Sequence, residues 1–170
     1  MLLRADLYFD ETKYELCRKD YYRAIRVNSG HAYPYYKLGL SYELDDDYKT
    51  AIHFYNVATE KKTVDGYTYD YKTIAPNLDT EEAKYDVPLS QLVFRQAICY
   101  YYLRNLAKAR SGFTYCIENG YQVAESYCYR GAVNFEANKK DSACLDFKSA
   151  NSLGYKDAQS FLRKYCHVSN

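Results

Sequence analysis

Tryptophan is absent from the 170 residues, methionine occurs once, proline three times and glycine seven times. So little proline and glycine excludes collagen-like, proline-rich and glycine-rich low-complexity chains. Long apolar runs are missing too: no window approaches the 18 or so residues of a membrane-spanning helix, so membrane insertion is not expected. Neither sign of charge dominates, since 23 basic and 22 acidic side chains leave a net +1. A protein that holds nucleic acid or an anionic bilayer needs a basic face. Here the basic clusters, Arg23 with Arg26 and Lys139 with Lys140, are short and mixed with acids, so neither partner is expected. The first residues, MLLRADLYFDE, lack the apolar core and cleavage site of a signal peptide.

Catalytic and metal patterns are equally scarce. There is no glycine-rich phosphate loop, no G-x-S-x-G and no H-E-x-x-H. His31, His53 and His167 are isolated in sequence, and the adjacent Cys166 and His167 do not make a four-ligand site. The acidic run Asp45–Asp47 reads as turn and helix-cap chemistry, because no calcium-loop spacing follows it. No catalytic residue, metal or cofactor is assigned, and the chain is not expected to be an enzyme.

What is abundant is tyrosine, at 23 residues, whose apolar body and polar tip suit half-buried helix surfaces. The stretch Tyr35–Ala58 sets out a pattern of small and aromatic residues. Gly39 is followed by Tyr42 at +3, Ala51 at +12, Tyr55 at +16 and Ala58 at +19. Two amphipathic helices packed across a tight turn need this layout, since small residues let backbones approach and an aromatic fills the space beside them. Stepping back 34 residues gives Ala5, Tyr8, Cys17, Tyr21 and Ala24. A third set is Ala97, Tyr100, Ala109, Phe113 and Cys116, and 34 residues later comes Gly131, Asn134, Ala143, Phe147 and Ala150. Asn134 alone breaks the pattern.

A 34-residue helix–turn–helix with this grammar resembles the tetratricopeptide repeat (TPR) family. The resemblance implies an all-α, right-handed α-solenoid of about four repeats, at about 1–31, 32–64, 91–122 and 123–155, read as a single domain over 1–170. Two departures stand out: the leucine before the first small residue appears only as Leu38, and the closing proline is replaced by Ser29, Thr63, Tyr121 and Tyr155.

Between the second and third repeats the step fails, leaving an insertion at 65–90. It opens on Asp65-Gly66, a turn signal; Tyr67, Tyr69 and Tyr71 alternate at strand spacing, and Thr80–Lys84 has room for one helical turn. Residues 156–166 repeat the opening of a helix pair, GYKDAQSF echoing GYQVAESY, and carry a polar face, as a capping helix should. Met1 falls inside the first helix of repeat one. The compartment is read as cytoplasmic, with an exported mature chain or an excised domain as open alternatives.

In the family, the first helices of the repeats line a concave groove. Carried over residue by residue, the groove is expected at Tyr33, Tyr36, Lys37, Leu40, Leu44, Phe94, Arg95, Ile98, Tyr101, Tyr102 and Phe135, with Leu2, Asp6, Phe9, Asp10, Glu125 and Cys128 toward its ends. An aromatic and apolar groove implies a protein–protein interaction module that takes a protein or peptide segment, as a monomer or weak homodimer. Two alternatives stay open. The insertion, through Tyr67, Tyr69, Tyr71 and Ile74, fills the groove of a self-associating structural unit, or Cys128 and its neighbours serve a thiol-based role. The cysteines at packing positions, Cys17 and Cys116, read as buried thiols, with a Cys116–Cys128 disulfide as a lesser alternative. The TPR subclass that clamps acidic C-termini through Lys and Asn is argued against by Leu2 and Asp6 at those places.

Overall fold

The computed structural model describes residues 1–64, 67–68 and 85–166. It is helical almost throughout: α1 (Leu2–Asp10), α2 (Tyr14–Val27), α3 (Ala32–Glu43), α4 (Tyr48–Lys62), α5 (Leu89–Tyr102), α6 (Leu106–Glu118), α7 (Val123–Glu136), α8 (Lys140–Ser152) and α9 (Ala158–Tyr165). A two-residue strand β1 (Thr63–Val64) pairs antiparallel with β2 (Tyr67–Thr68), Val64 opposite Tyr67. The expected helical turn at 80–84, the side chains of Tyr67, Tyr69, Tyr71 and Ile74, and His167 lie outside the described residues.

Contacts divide the chain into two compact units, Met1–Leu92 and Val93–Asn170, the division falling within α5. In the first unit α1 packs on α2, α2 on α3 and α3 on α4; in the second α6 packs on α7, α7 on α8 and α8 on α9.

The periodic residues form both cores. Tyr21, Tyr55, Phe113 and Phe147, the +16 aromatics, are fully buried. Every small position is buried except Ala24, which is half-buried. Why the first position must be small is visible at two glycines. A Cβ on Gly39 would stand 2.5 Å from Tyr55 Cε1, and one on Gly131 would stand 2.7 Å from Phe147 Cε1. Ring and backbone therefore touch directly, and a larger side chain would force the helices apart.

The turn inside each pair is built the same way four times, from dissimilar residues. Thr12, Asp46, Arg104 and Asn138 each sit at +7 and each has φ near +60° (58°, 59°, 61° and 61°). The next N–H then reaches back to the carbonyl of the +3 residue: Lys13 to Tyr8, Asp47 to Tyr42, Asn105 to Tyr100 and Lys139 to Asn134, at 2.8–2.9 Å. This is the Schellman closure, which satisfies a helix-end carbonyl through a left-handed residue. Two second helices start on a side-chain cap, Asp47 Oδ1 accepting from Thr50 N at 3.1 Å and Asn105 Oδ1 from Lys108 N at 3.2 Å. The run Asp45–Asp47 is thereby accounted for: Asp46 makes the turn, Asp47 caps α4, and Asp45 pairs with Arg18.

Polar clamps tie helices within pairs. Arg4 Nε and Nη2 donate to Asp20 at 2.6 and 2.8 Å, and Arg130 Nε and Nη2 donate to Asp146 at 3.0 and 2.6 Å. Both pairs occupy the −1 and +15 positions. Asn134, the break in the aromatic pattern, joins the second clamp: its Nδ2 donates to Asp146 Oδ2 at 2.8 Å and its Oδ1 accepts from Arg110 Nε at 3.0 Å. A polar residue belongs there because a buried carboxylate needs more than one donor.

A further clamp holds the end of the insertion. Lys62 and Asp86, whose side chains are 4% and 5% exposed, form an ion pair between the end of α4 and the residues leading into α5. Beside it Val87 is buried, and Gln91 Nε2 donates to Tyr36 Oη at 2.5 Å.

Candidate partner-binding site

Each unit carries part of the expected groove. In the first unit, its centre is already filled by the chain's own chemistry. Lys37 Nζ lies 3.9 Å from the centroid of Phe9, 6.0 Å from that of Tyr33 and 3.7 Å from Asp6 Oδ1. Asp6 also accepts from Tyr21 Oη at 2.6 Å and Tyr33 Oη at 2.9 Å. Burial first, and then the Asp6 hydrogen bond, push both phenols well above the ordinary tyrosine value. With Lys37 engaged by Asp6, it is poorly placed to meet a partner's carboxylate. Tyr36 is buried, Leu40 half-buried and Leu44 exposed. A separate pocket of ≈ 350 Å³ opens near the start of α1, between Leu2, Leu3, Ala24, Val27, Pro34 and Tyr85.

In the second unit, Phe94 and Ile98 are 4% and 6% exposed and belong to the core cluster around Phe113 and Ala109, so they offer a partner almost no surface. Arg95 and Phe135 are half-buried, and Tyr102 is exposed. Tyr101 lines a pocket of ≈ 270 Å³, along with Cys128 and Ala132 of α7. Its other walls are Tyr129, Tyr155 and Phe161, with Asp157 at the edge. Packing behind the pocket fixes these rings. Tyr129 stacks on Phe113 at 5.2 Å and lies 6.3 Å from Tyr101; Phe161 stacks on Phe147 at 5.2 Å. Tyr101 Oη donates to Glu136 Oε1 at 2.9 Å, and Glu136 pairs with Arg104.

The pocket's electrostatics are acidic. Burial pushes the Cys128 thiol up to about 12, with Asp157 and Glu125 adding to the effect. Tyr155 is likewise raised by burial, then by Glu125, Cys128 and Asp157. Glu125 is itself raised by partial burial, which Arg95 partly offsets.

Tyr101 and Cys128 were expected at a groove. Tyr129, Tyr155, Asp157 and Phe161 were not assigned to it, although the GYQVAESY–GYKDAQSF echo marks the last three as counterparts of Tyr121, Val123 and Tyr127.

The cysteines pair differently from the sequence expectation. Cys144 of α8 and Cys166 after α9 form a disulfide, with Cα atoms 5.6 Å apart, while Cys116 and Cys128 are buried and take no part in a disulfide. The separation of the latter two is physical: Cys116 belongs to the core around Phe113, and Cys128 to the core around Phe147.

No family model matches the chain, and no curated protein matches it significantly. Solved structures do. The chain is similar to the structure titled "Crystal structure of MamA protein" at 15% identity and TM-score 0.67, covering 99% of this chain and 76% of that one. Its fold is the tetratricopeptide-repeat fold. A second similar structure, "Crystal structure of YrrB: a TPR protein with an unusual peptide-binding site", shares 17% identity at TM-score 0.44, covering 96% of this chain and 89% of that one. Among the described residues of this chain, no helix is long and apolar enough to cross a membrane, and no three metal-capable side chains cluster.

Proposed function

We propose that this TPR chain is a protein-interaction module that takes a segment of a protein partner along the first-helix faces of its repeats, with the pocket of the second unit as its anchor point. The observation that supports this most is the pocket itself. Aromatic side chains held by core stacking line an opening of ≈ 270 Å³, below the roughly 300 Å³ at which small-molecule sites begin and suited to a partner's side chain. One anchor buried there contributes about 1.5–3 kcal/mol, and two or three of them along a segment reach micromolar affinity after ordering costs.

A catalytic or redox role through Cys128 is disfavoured, because burial holds its thiol up near 12, whereas a reactive cysteine needs a depressed value. The Cys144–Cys166 bridge favours an oxidising compartment over the cytoplasm; protein isolated from its cell with all six thiols free would reverse that reading.

The test is selection of displayed random peptides on the whole chain, followed by rebinding to Tyr101→Ala and Tyr155→Ala. The retained peptides should lose most of their binding to both variants. Retained peptides that bind both variants as tightly as the parent would overturn the assignment. Light scattering separates the self-associating alternative: mass that stays monomeric across concentration removes it.

A further inference from the structure

Three places in the described residues carry a surplus of binding chemistry. The opening near the start of α1 is apolar, with nothing to say what covers it. The face of α2 bearing Lys19, Arg23 and Arg26 is shallow and built from flexible cations. The pocket of the second unit is different, because its charge is unbalanced.

We propose that this pocket receives a basic side chain, arginine or lysine, from the partner segment. The inference rests on the groove reading above and names the chemistry of its occupant. Tyr101, Tyr129, Tyr155 and Phe161 supply ring faces and edges around a space of single-side-chain size. Rings so arranged attract a cation through their quadrupoles, most strongly where water is thinned out.

The carboxylates decide between a cation and a neutral apolar side chain. Among the described residues, most other half-buried and buried acids have cations of their own: Asp6 has Lys37, Asp20 has Arg4, Asp86 has Lys62, Glu136 has Arg104 and Asp146 has Arg130, while Glu43 accepts from the Tyr55 hydroxyl. Asp157 stands at the start of α9 without capping it through its side chain, and makes no ion pair among the described residues. Glu125 is half-buried, and among the described residues its carboxylate has no hydrogen-bond or ion-pair partner; Arg95 acts on it only through space. Asp157 lines the open aromatic pocket, and Glu125 lies three and four residues before the lining residues Cys128 and Tyr129 on α7, on the same helix face. An apolar occupant would cover Asp157, which is exposed, and bury the half-buried Glu125 further, without compensation, which is costly. A guanidinium or ammonium would pair with them.

The chain already contains one example of this solution. In the first unit, the Lys37 ammonium sits against Phe9 and Tyr33 and is paired with Asp6. Counted from the first small residue, the position of Lys37 is taken by Tyr129 in the fourth repeat. There the chain supplies a ring in place of its own cation, and the pocket beside it stays open.

The test uses the whole chain, isotope-labelled, and four acetylated and amidated pools of short peptides. The central residue is fixed as arginine, lysine, norleucine or glutamate, and the flanking positions are randomised. Amide shifts at Cys128, Tyr129, Tyr155 and Phe161 report occupancy. The arginine and lysine pools should bind about fivefold or more tighter than the norleucine pool, the equivalent of roughly 1 kcal/mol of cation–ring and charge pairing. The double variant Glu125→Gln/Asp157→Asn should erase that preference, weakening the arginine and lysine pools and binding the norleucine pool at least as well as the parent does, because no carboxylate is then covered. Equal or better binding of the norleucine or glutamate pool overturns the inference and leaves the groove reading in place. Shifts from none of the pools overturn both.

Discussion

Arg130→Met tests the polar clamp of the fourth repeat. In the native chain Asp146, buried at 5% exposure, accepts from Arg130 Nε and Nη2 and from Asn134 Nδ2. Arg130 Nη1 also donates to Thr114 Oγ1 at 3.2 Å. Methionine keeps much of the length and apolar stem but brings no donor, so the carboxylate is left with the Asn134 amide alone. Removing one partner of a buried pair costs about 3–5 kcal/mol. The Arg130 side chain is 20% exposed, so water softens the loss and the low end, about 3 kcal/mol, is expected. At about 2–4 °C per kcal/mol for a chain of this size, Tm should fall by roughly 6–12 °C. Thermal melts followed by far-UV circular dichroism read this directly, and urea melts read the free energy. Arg4→Met is the internal control. Its side chain is 55% exposed and Asp20 keeps Arg23 at 3.3 Å, so a much smaller loss is expected there. Adding Asp146→Leu to Arg130→Met should restore much of the loss, because no charge is then stranded. An Arg130→Met melt no worse than that of Arg4→Met, or a double variant as unstable as the sum of its parts, would refute the reasoning.

Other outcomes follow from the same structure. Reducing the Cys144–Cys166 bridge opens a loop of 22 residues and should cost about 3 kcal/mol, seen as a lower urea midpoint with reductant; identical melts would show that the bridge does not hold α9. Gly131→Val should cost about 1–3 kcal/mol in the same melts, because the added carbon meets Phe147 at 2.7 Å. Cys116 and Cys128, both raised to about 12 by burial, should alkylate slowly in the native chain at neutral pH; fast labelling would show that the second core is open. The hydrogen bonds from Arg4, and its charge, hold the Asp20 carboxyl below its ordinary value near 3.8. A depressed folded value means the folded state releases the proton more readily than the unfolded one. The stabilisation is therefore complete above about pH 4 and lost as pH falls through the folded value. Arg4→Met should shift the acid unfolding midpoint upward; an unchanged midpoint would contradict this.

The packing residues were legible in the sequence because their types are restricted. Only a small residue fits against Tyr55 or Phe147, so Gly39 and Gly131 and their counterparts recur at 34-residue steps on either side of the insertion. Of the four turns only that at Asp45–Asp47 was legible; the others were not, because the Schellman closure fixes a backbone angle and leaves the side chain free, and Thr12, Asp46, Arg104 and Asn138 share little else. The Arg–Asp clamps had a readable signal, the same 16-residue spacing from Arg4 to Asp20 and from Arg130 to Asp146, hidden because the second and third repeats carry other residues there. Asn134 looked like a flaw and is part of that clamp.

The site was half legible. Counting along first helices finds Tyr101 and Cys128, but it also marks Tyr36, Phe94 and Ile98, which neighbouring helices bury. It passes over Tyr155 and Asp157, which reach the pocket from the turn before α9. The Cys144–Cys166 pair joins two elements whose approach depends on how α9 packs on α8, and spacing alone does not encode that.

The most direct measurement is hydrogen–deuterium exchange on the whole chain, with and without a peptide retained in the display selection. Slowed exchange concentrated in α7 and from Tyr155 to Phe161 is the predicted result. Slowed exchange along α2, around Lys19 to Arg26, with the pocket elements unchanged, would contradict the account and move the binding surface to another face.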